Sequence, residues 1–480
     1  MKQLNNTTVA RTERPITILQ FGSGNFLRGF ADWVFQQSNE AGLTNHGVAI
    51  AYATHRANRH DPLADQDGLY HVCLEGVRGG EAVRRVDLID AVQTVVDPWA
   101  DYDRYRSIAL SPELKLMISN TTEAGIVYVA DDDLEVRPAA SFPAQVAQLL
   151  HDRYEAFDGA DDAGLSILCC ELIEANGSTL RDYVRRHAAR AGWGDDFMAW
   201  LDGANRFYDT LVDRIVSGFP ADEAATLQAE TGFDDRALVK GELFSLWVVG
   251  GDPQIQDVLP LAGLDLGVTF VTPEQVAEFR EKKVRVLNGC HTAMALTALQ
   301  LGHVTVDQAF TDADVRGYLD ALLETEILPT IAGDPDELRA FAAAILERFA
   351  NVSLHHKLAD ISLNSLAKWQ ARNLGVVLDR WAAGADAPLS VLALAALLLL
   401  YSGHSEAAGF TPRDDEAFVA AVRDGFDADD LGGWVAGCLT YLTVTPEVRD
   451  RLAGEVTPLV KAILADGVRA SLNAAVPALT

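Results

Sequence analysis

A chain of 480 residues exceeds what one hydrophobic core usually organises, so two domains are expected. It carries 69 acidic against 39 basic residues, a formal net charge of −30 at pH 7. That field repels nucleic acid and anionic membranes, which excludes both as partners, and any site for an anion must gather positive charge locally.

Residues 1–14 read as a loose polar arm with no apolar signal core. Ile16–Phe21 is an apolar run ending at a glycine, the pattern of a buried strand. An amphipathic stretch over residues 26–37 reads as a helix. Further buried strands are expected at 48–53, 114–119 and 165–170, with an extra hairpin built from 69–74 and 86–88, and a helix over 142–157. Strands alternating with helices imply a doubly wound, mostly parallel sheet. After about residue 275 the chain turns Ala/Leu-rich with helical periodicity, and residues 260–267 house the join. The run at 389–401 is too short to span a bilayer and reads as a buried helix. The architecture is therefore α/β: a Rossmann-like doubly wound domain over 15–274, then a mainly α-helical substrate and catalytic domain over 275–480, with the cleft between them as the natural site. The five cysteines, including the adjacent Cys169 and Cys170, show no ligand or disulfide spacing and fit reduced thiols in a cytoplasm.

The first motif is the turn Phe21-Gly22-Ser23-Gly24-Asn25-Phe26-Leu27-Arg28 after the first strand. A dinucleotide site needs this order of strand, glycine turn and helix. Gly22 permits the tight turn, Gly24 lets backbone approach a pyrophosphate, and the helix start supplies free N–H groups. Leu27 replaces the third glycine of the usual pattern, and Arg28 is a candidate positive group near the phosphates. The second strand runs into Thr54-His55-Arg56 with no acid until Asp61, and Arg56 is either a 2′-phosphate acceptor or solvated surface, so these residues leave the choice between NAD and NADP open.

The second motif is KVRVLNGCH, residues 283–291. At about 100° per residue, His291 falls about 80° from Lys283, with Asn288 about 60° beyond, so a helix would carry all three on one face. Carbonyl reduction calls for such a set: a proton donor, an amide for the developing oxyanion and an orienting imidazole. The competing reading is a surface lysine, a helix-ending Asn-Gly and a core histidine. A zinc set from Glu281, Cys290, His291, His355 and His356 matches no usual spacing, so no metal is expected.

The segments 20–30 (QFGSGNFLRGF), 66–70 (QDGLY), 119–126 (SNTTEAGI), 170–177 (CELIEANG), 210–218 (TLVDRIVSG) and 283–291 together resemble the mannitol dehydrogenase family of long-chain dehydrogenases, in particular its uronate branch. The resemblance implies that Lys283 is the general acid/base, that Asn288 and Asn176 stabilise the oxyanion, and that His291 orients the substrate. It implies that Thr121, Thr122 and Glu123 border the nicotinamide side of the cofactor, and that Asp213 and Arg214 line the cleft. Lys368 matches a substrate-binding lysine, and Lys368 or Arg372 would hold a hexuronate carboxylate. Leu172 and Asp360 stand where polyol dehydrogenases carry Asn and Arg, which argues against mannitol. The implied activity is metal-independent hydride transfer between NADH and the keto group of a hexuronate such as D-tagaturonate, giving the aldonate D-altronate. Fructuronate or mannitol is the nearest alternative substrate, and a non-catalytic dinucleotide sensor the more distant one. The expected partners are small molecules, in a monomer or small homo-oligomer.

Overall fold

The strand Ile16–Phe21 (β1) lies inside an eight-stranded sheet, with both of its faces covered. The other strands are Gly47–Ala51 (β2), Val92–Val96 (β3), Leu116–Ser119 (β4), Ser166–Cys169 (β5), Arg206–Asp213 (β6), Leu246–Gly250 (β7) and Val268–Val271 (β8). The computed structural model describes residues 1–56, 60–121, 124–261, 263–352, 356–405, 407 and 409–476. The chain divides into two units, 1–76 with 82–279 and 77–81 with 280–480.

In the first unit the strand order is β8-β7-β6-β5-β4-β1-β2-β3. Strands β1 to β6 are parallel, β7 runs antiparallel to β6, and β8 is parallel to β7. The run 3-2-1-4-5-6 is the doubly wound dinucleotide-binding order, and its direction reverses at β1 between β2 and β4. Side-chain alternation sorts the two cores. Ile18 packs with Phe30, Val34 and Trp247, while Leu19 and Phe21 pack with Phe142, Val146 and Leu150 on the opposite face. Four strands of this sheet, β3, β6, β7 and β8, escaped the sequence reading. β3 is a short strand at one end of the sheet whose middle positions are only partly buried, and β6 mixes Arg206, Asp209 and Asp213 into its apolar positions, so neither shows an unbroken apolar run.

The expected hairpin is present, and longer than predicted: Tyr70–Arg78 and Glu81–Ile89 flank Gly79 and Gly80, both at positive φ (60° and 81°), as a two-residue hairpin turn requires. It belongs to a second, four-stranded sheet with Val216–Gly218 and Val239–Glu242. The N-terminal arm is not loose. Lys2–Gln3 pairs with Phe233–Asp234, Leu4 is buried, the Arg11 guanidinium donates to the carbonyls of Asp67 and Gln93, and Arg14 pairs with Asp90 at 2.7 Å.

The second unit is helical, as the composition indicated. The helix Pro388–Ser402 is buried along almost its whole length. Its first turn is capped from a distance: the Glu326 carboxylate accepts from the N–H groups of Leu389 (2.6 Å) and Ser390 (2.8 Å) and from the Ser390 hydroxyl (2.6 Å). No helix among the described residues is long and apolar enough to cross a membrane.

Candidate active site

The glycine turn follows β1 at the carboxyl edge of the sheet. Gly22 has φ +111°, and a Cβ there would lie 3.2 Å from the Asn120 carbonyl oxygen, so this position needs glycine for the fold itself. Gly24 is different. Its backbone is extended (φ −63°, ψ 156°), open to any residue, and a Cβ there would meet nothing within 4 Å. The protein does not need glycine at position 24, whereas a ligand lying against the backbone there would. Gly24 and Asn25 are exposed and Gly22 and Ser23 half-exposed, so the N–H groups at the start of the helix Asn25–Gly29 are accessible. These residues fit a dinucleotide pyrophosphate.

Arg28 does not serve as the expected free cation. It is buried, and its guanidinium donates to the carbonyls of Ser23 (3.1 Å) and Ala237 (2.6 Å) and to the Asn25 side chain (2.6 Å), clamping the turn from within. Past β2, Thr54, His55 and Arg56 are exposed, while Asp61 accepts from the Tyr52 hydroxyl and caps the short helix Pro62–Asp65.

At the ends of β4 and β5 a buried carboxylate organises the edge. Glu171 accepts from the Ser119 hydroxyl (3.1 Å) and from the N–H and hydroxyl of Thr121 (both 2.9 Å). Burial raises its carboxyl above the usual range and these donors pull it back. Thr121 is thus fixed beside the turn's neighbour strand; Thr122 and Glu123 lie outside the described residues. Glu171 stands inside a quoted motif yet was given no role, because an acid following a strand reads equally well as surface.

Asn176 is only 1% exposed and fully committed. Its amide donates to the carbonyls of Glu171 and Thr210, and its oxygen accepts from the N–H groups of Gly177 and Thr210. With both hydrogens and both lone pairs taken, it has none left for an oxyanion. It holds the sharp turn in which Ala175 adopts a left-handed conformation (φ 46°). Leu172 is 58% exposed and apolar, so it supplies no donor either. Asp213 closes β6 and is partly buried; Arg214 is buried, donating to the carbonyls of Gly29, Leu243 and Phe244 and packing over the Trp33 ring. Burial lowers its guanidinium to about 10. It is a structural brace.

In the second unit, the helix leading through Lys283, Asn288 and His291 is not regular. Val284–Gly289 is π-helical, followed by the α-helix Cys290–Ala298. In a regular α-helix Asn288 would sit about 140° from Lys283. The i→i+5 pattern takes less rotation per residue, so Asn288 turns toward the side of the helix that carries Lys283. His291, three α-helical residues further, is its neighbour on the same face. Lys283, Asn288 and His291 are partly exposed, as are Val284 and Arg285, while Val286, Leu287, Gly289 and Cys290 are buried. The π segment spans the interval between Lys283 and His291. No sequence signal marks it, apart from the Asn-Gly pair.

Around His291 the unit gathers positive charge. The imidazole stacks on Phe349 (centroids 4.3 Å apart) and meets the His356 ring edge-on at 5.3 Å. Burial holds it well below the usual histidine range, reinforced by His356, Arg348, Arg372 and Lys368. Lys368 and Arg372 share one side of the helix Ser365–Arg372 and are both lowered, Lys368 by burial and then by Arg372, and Arg372 by burial. Lys368 donates to the Ile361 carbonyl (2.8 Å), and Arg372 uses one nitrogen on the Thr292 hydroxyl (3.1 Å). Asp414 is the acid that acts on Lys368, while Asp360 is paired with Arg413 at 2.9 Å. Arg348 and His356 were not singled out as substrate groups by sequence, since nothing in their spacing ties them to His291. Cys290 is buried with its thiol pushed up, turned into the core away from any ligand set, and His355 lies outside the described residues.

Family models of the mannitol dehydrogenase Rossmann domain and C-terminal domain match residues 16–261 and 275–436. The chain is 39% identical over 426 residues to an altronate oxidoreductase of Klebsiella pneumoniae subsp. pneumoniae, covering 88% of this chain and 87% of that protein. It is 38% identical over 417 residues to an altronate oxidoreductase of Escherichia coli, covering 86% of each. Among solved structures, a substrate-free D-sorbitol dehydrogenase superposes with a TM-score of 0.81 at 21% identity, covering 99% of this chain and 100% of that one. The ternary complex of Pseudomonas fluorescens mannitol 2-dehydrogenase with NAD and D-mannitol gives 0.67 at 20% identity, covering 96% and 94%. At these identities the structural likeness shows the shared fold.

Proposed function

The chain belongs to the mannitol dehydrogenase family of oxidoreductases, and from that premise we propose that it interconverts a keto-hexuronate and its aldonate, D-tagaturonate and D-altronate, with NAD. The observation that carries the reading is the cationic set Arg348, Lys368 and Arg372 around His291, beside His356, which burial holds below the usual histidine range, in a chain of net charge −30. Partly desolvated like charges destabilise one another unless an anion joins them, and a substrate carboxylate would do so through charge-assisted hydrogen bonds. A neutral polyol gains nothing from such a set. The relatives named altronate oxidoreductase support the same choice.

The nicotinamide, when bound, supplies the hydride in reduction and accepts it in oxidation. The chain's own residues do the rest. The turn at 22–25 receives the pyrophosphate on the backbone of Gly24 and the helix start. In reduction, negative charge builds on the substrate carbonyl oxygen; the Asn288 amide stabilises it, and Lys283 as ammonium gives the oxygen its proton. In oxidation Lys283, as amine, takes that proton back. His291, held neutral by its surroundings, donates or accepts hydrogen bonds to substrate hydroxyls without adding charge. No step requires a metal.

The test is a panel of D-tagaturonate, D-fructuronate and D-fructose assayed by NADH and NADPH oxidation. The account expects fastest turnover on tagaturonate with NADH. Preference for the neutral ketose would overturn the carboxylate reading, and preference for NADPH the choice of cofactor.

A further inference from the structure

Buried carboxyl groups in this chain are not treated alike. Glu171 and Glu326 each accept three hydrogen bonds at 3.1 Å or less, including backbone N–H groups, which suits a carboxylate. Asp32, with no exposed surface, is poorly served. Its Oδ2 lies 3.0 Å from the Tyr70 hydroxyl, which is also 3.0 Å from the Arg28 carbonyl and has one hydrogen to give. The Gln20 amide is 3.5 Å away. Oδ1 has no partner among the described residues, and neither has Oε1 of the touching Gln20. An ionised carboxylate has about four acceptor sites to satisfy; a carboxylic acid brings a donor of its own.

This group sits under the glycine turn and is wired to it. The Gln20 amide that approaches Asp32 also donates to the Gly22 carbonyl at 3.1 Å. Arg28, which holds Ser23 and Asn25, lies over the Tyr70 ring at 5.3 Å. We propose that Asp32 sets the charge beneath the dinucleotide turn: it is the neutral acid whenever a dinucleotide is bound, so that the Arg28 cation stays uncompensated under the turn. The proposal rests on the dinucleotide reading above. An ionised Asp32 would cancel Arg28 locally and add to the chain's negative field.

The surroundings agree. Burial outweighs the opposing pull of Tyr70, Gln20 and Arg28 and leaves the Asp32 carboxyl raised to about 7. Tyr70 itself is raised well above its usual value by burial, then by Asp32, with Asp235 adding to the effect, and stays protonated. Arg214 donates to the Gly29 carbonyl on the same short helix. Below neutral pH the free protein already holds the proton. Above it Asp32 ionises in the free protein, and binding draws one proton from the buffer onto the carboxylate.

The experiment is calorimetric titration of the full chain with NADH at pH 6, 7, 8 and 9, each in two buffers of different ionisation enthalpy. The expected proton uptake is near zero at pH 6 and rises toward about one per NADH above neutrality, with Kd weakening by up to about tenfold per pH unit there. Asp32→Asn, a neutral isostere, should abolish both the uptake and the slope. Tyr70→Phe, which removes a donor to the carboxylate, should move the onset of uptake to higher pH. No uptake by the wild-type protein at pH 8, a result that needs no variant, would overturn the proposal, as would uptake retained in Asp32→Asn. If NADH fails to bind at every pH, the dinucleotide reading falls first and the proposal with it.

Discussion

The two glycines of the turn should respond to substitution in opposite ways. Gly24 has an extended backbone and open space where a Cβ would go, so Gly24→Val adds no strain. Reduced freedom of the unfolded chain gives a stability change between zero and about +1 kcal/mol. The same Cβ and methyls occupy the space in which a pyrophosphate must approach the backbone. Loss of about two charge-assisted hydrogen bonds at about 1.5–3 kcal/mol each raises the Kd for NADH by about 10²–10⁴-fold. Gly22 reverses the pattern. At φ +111°, with the Asn120 carbonyl 3.2 Å from the new Cβ, Gly22→Ala costs about 1–3 kcal/mol of folding free energy, before any ligand is considered. Thermal melts of both variants, paired with fluorescence titration by NADH, separate the effects. A folded Gly24→Val protein that binds NADH with near wild-type affinity would refute the placement of the dinucleotide.

Lys368→Met and Arg372→Met should each raise KM for a hexuronate by about 10–100-fold, the worth of one charge-assisted hydrogen bond; an equal effect on a neutral ketose, measured in the same steady-state assay, would remove both from the carboxylate site. Exhaustive chelation should leave turnover intact, since Lys283 supplies the proton; activity lost to EDTA and restored by zinc would contradict this. Glu326→Ala leaves the first N–H groups of the buried helix Pro388–Ser402 without their acceptor. It should cost at least about 1–3 kcal/mol in a denaturation experiment; a change below about 0.5 kcal/mol would show that the cap contributes little.

The elements built on plain apolar runs, β1, β2, β4, β5 and the buried helix Pro388–Ser402, were legible in the sequence because burial on all sides leaves a nearly unbroken apolar pattern, although the equally buried β7 was not read. β6 was not, since Arg206 and Asp209 serve the strand's ends and neighbours: Arg206 pairs with Asp252, and Asp209 caps the turn at Ser178. The helical character of the segment holding Lys283, Asn288 and His291 was legible as a spacing, but its π-helical stretch was not, because a backbone irregularity is set by how neighbouring helices pack. Asn176 and Arg28 show the reverse limit. Their residue types suit ligand binding, and only the hydrogen bonds reveal that both are spent on the protein's own backbone. Likewise Arg348 and His356 lie far from residue 291 in sequence and join its cluster only through the fold.

The central claim is that Lys283 carries the proton in oxidoreduction of a sugar acid, and the most direct measurement is the pH dependence of kcat for D-altronate oxidation by wild-type protein and Lys283→Ala. The account predicts a fall in kcat of about 10²–10⁴-fold, the scale for losing a general acid/base. It also predicts loss of the limb that reports deprotonation of this lysine, with NADH affinity nearly unchanged. Wild-type kcat with an unaltered pH profile in Lys283→Ala would contradict it.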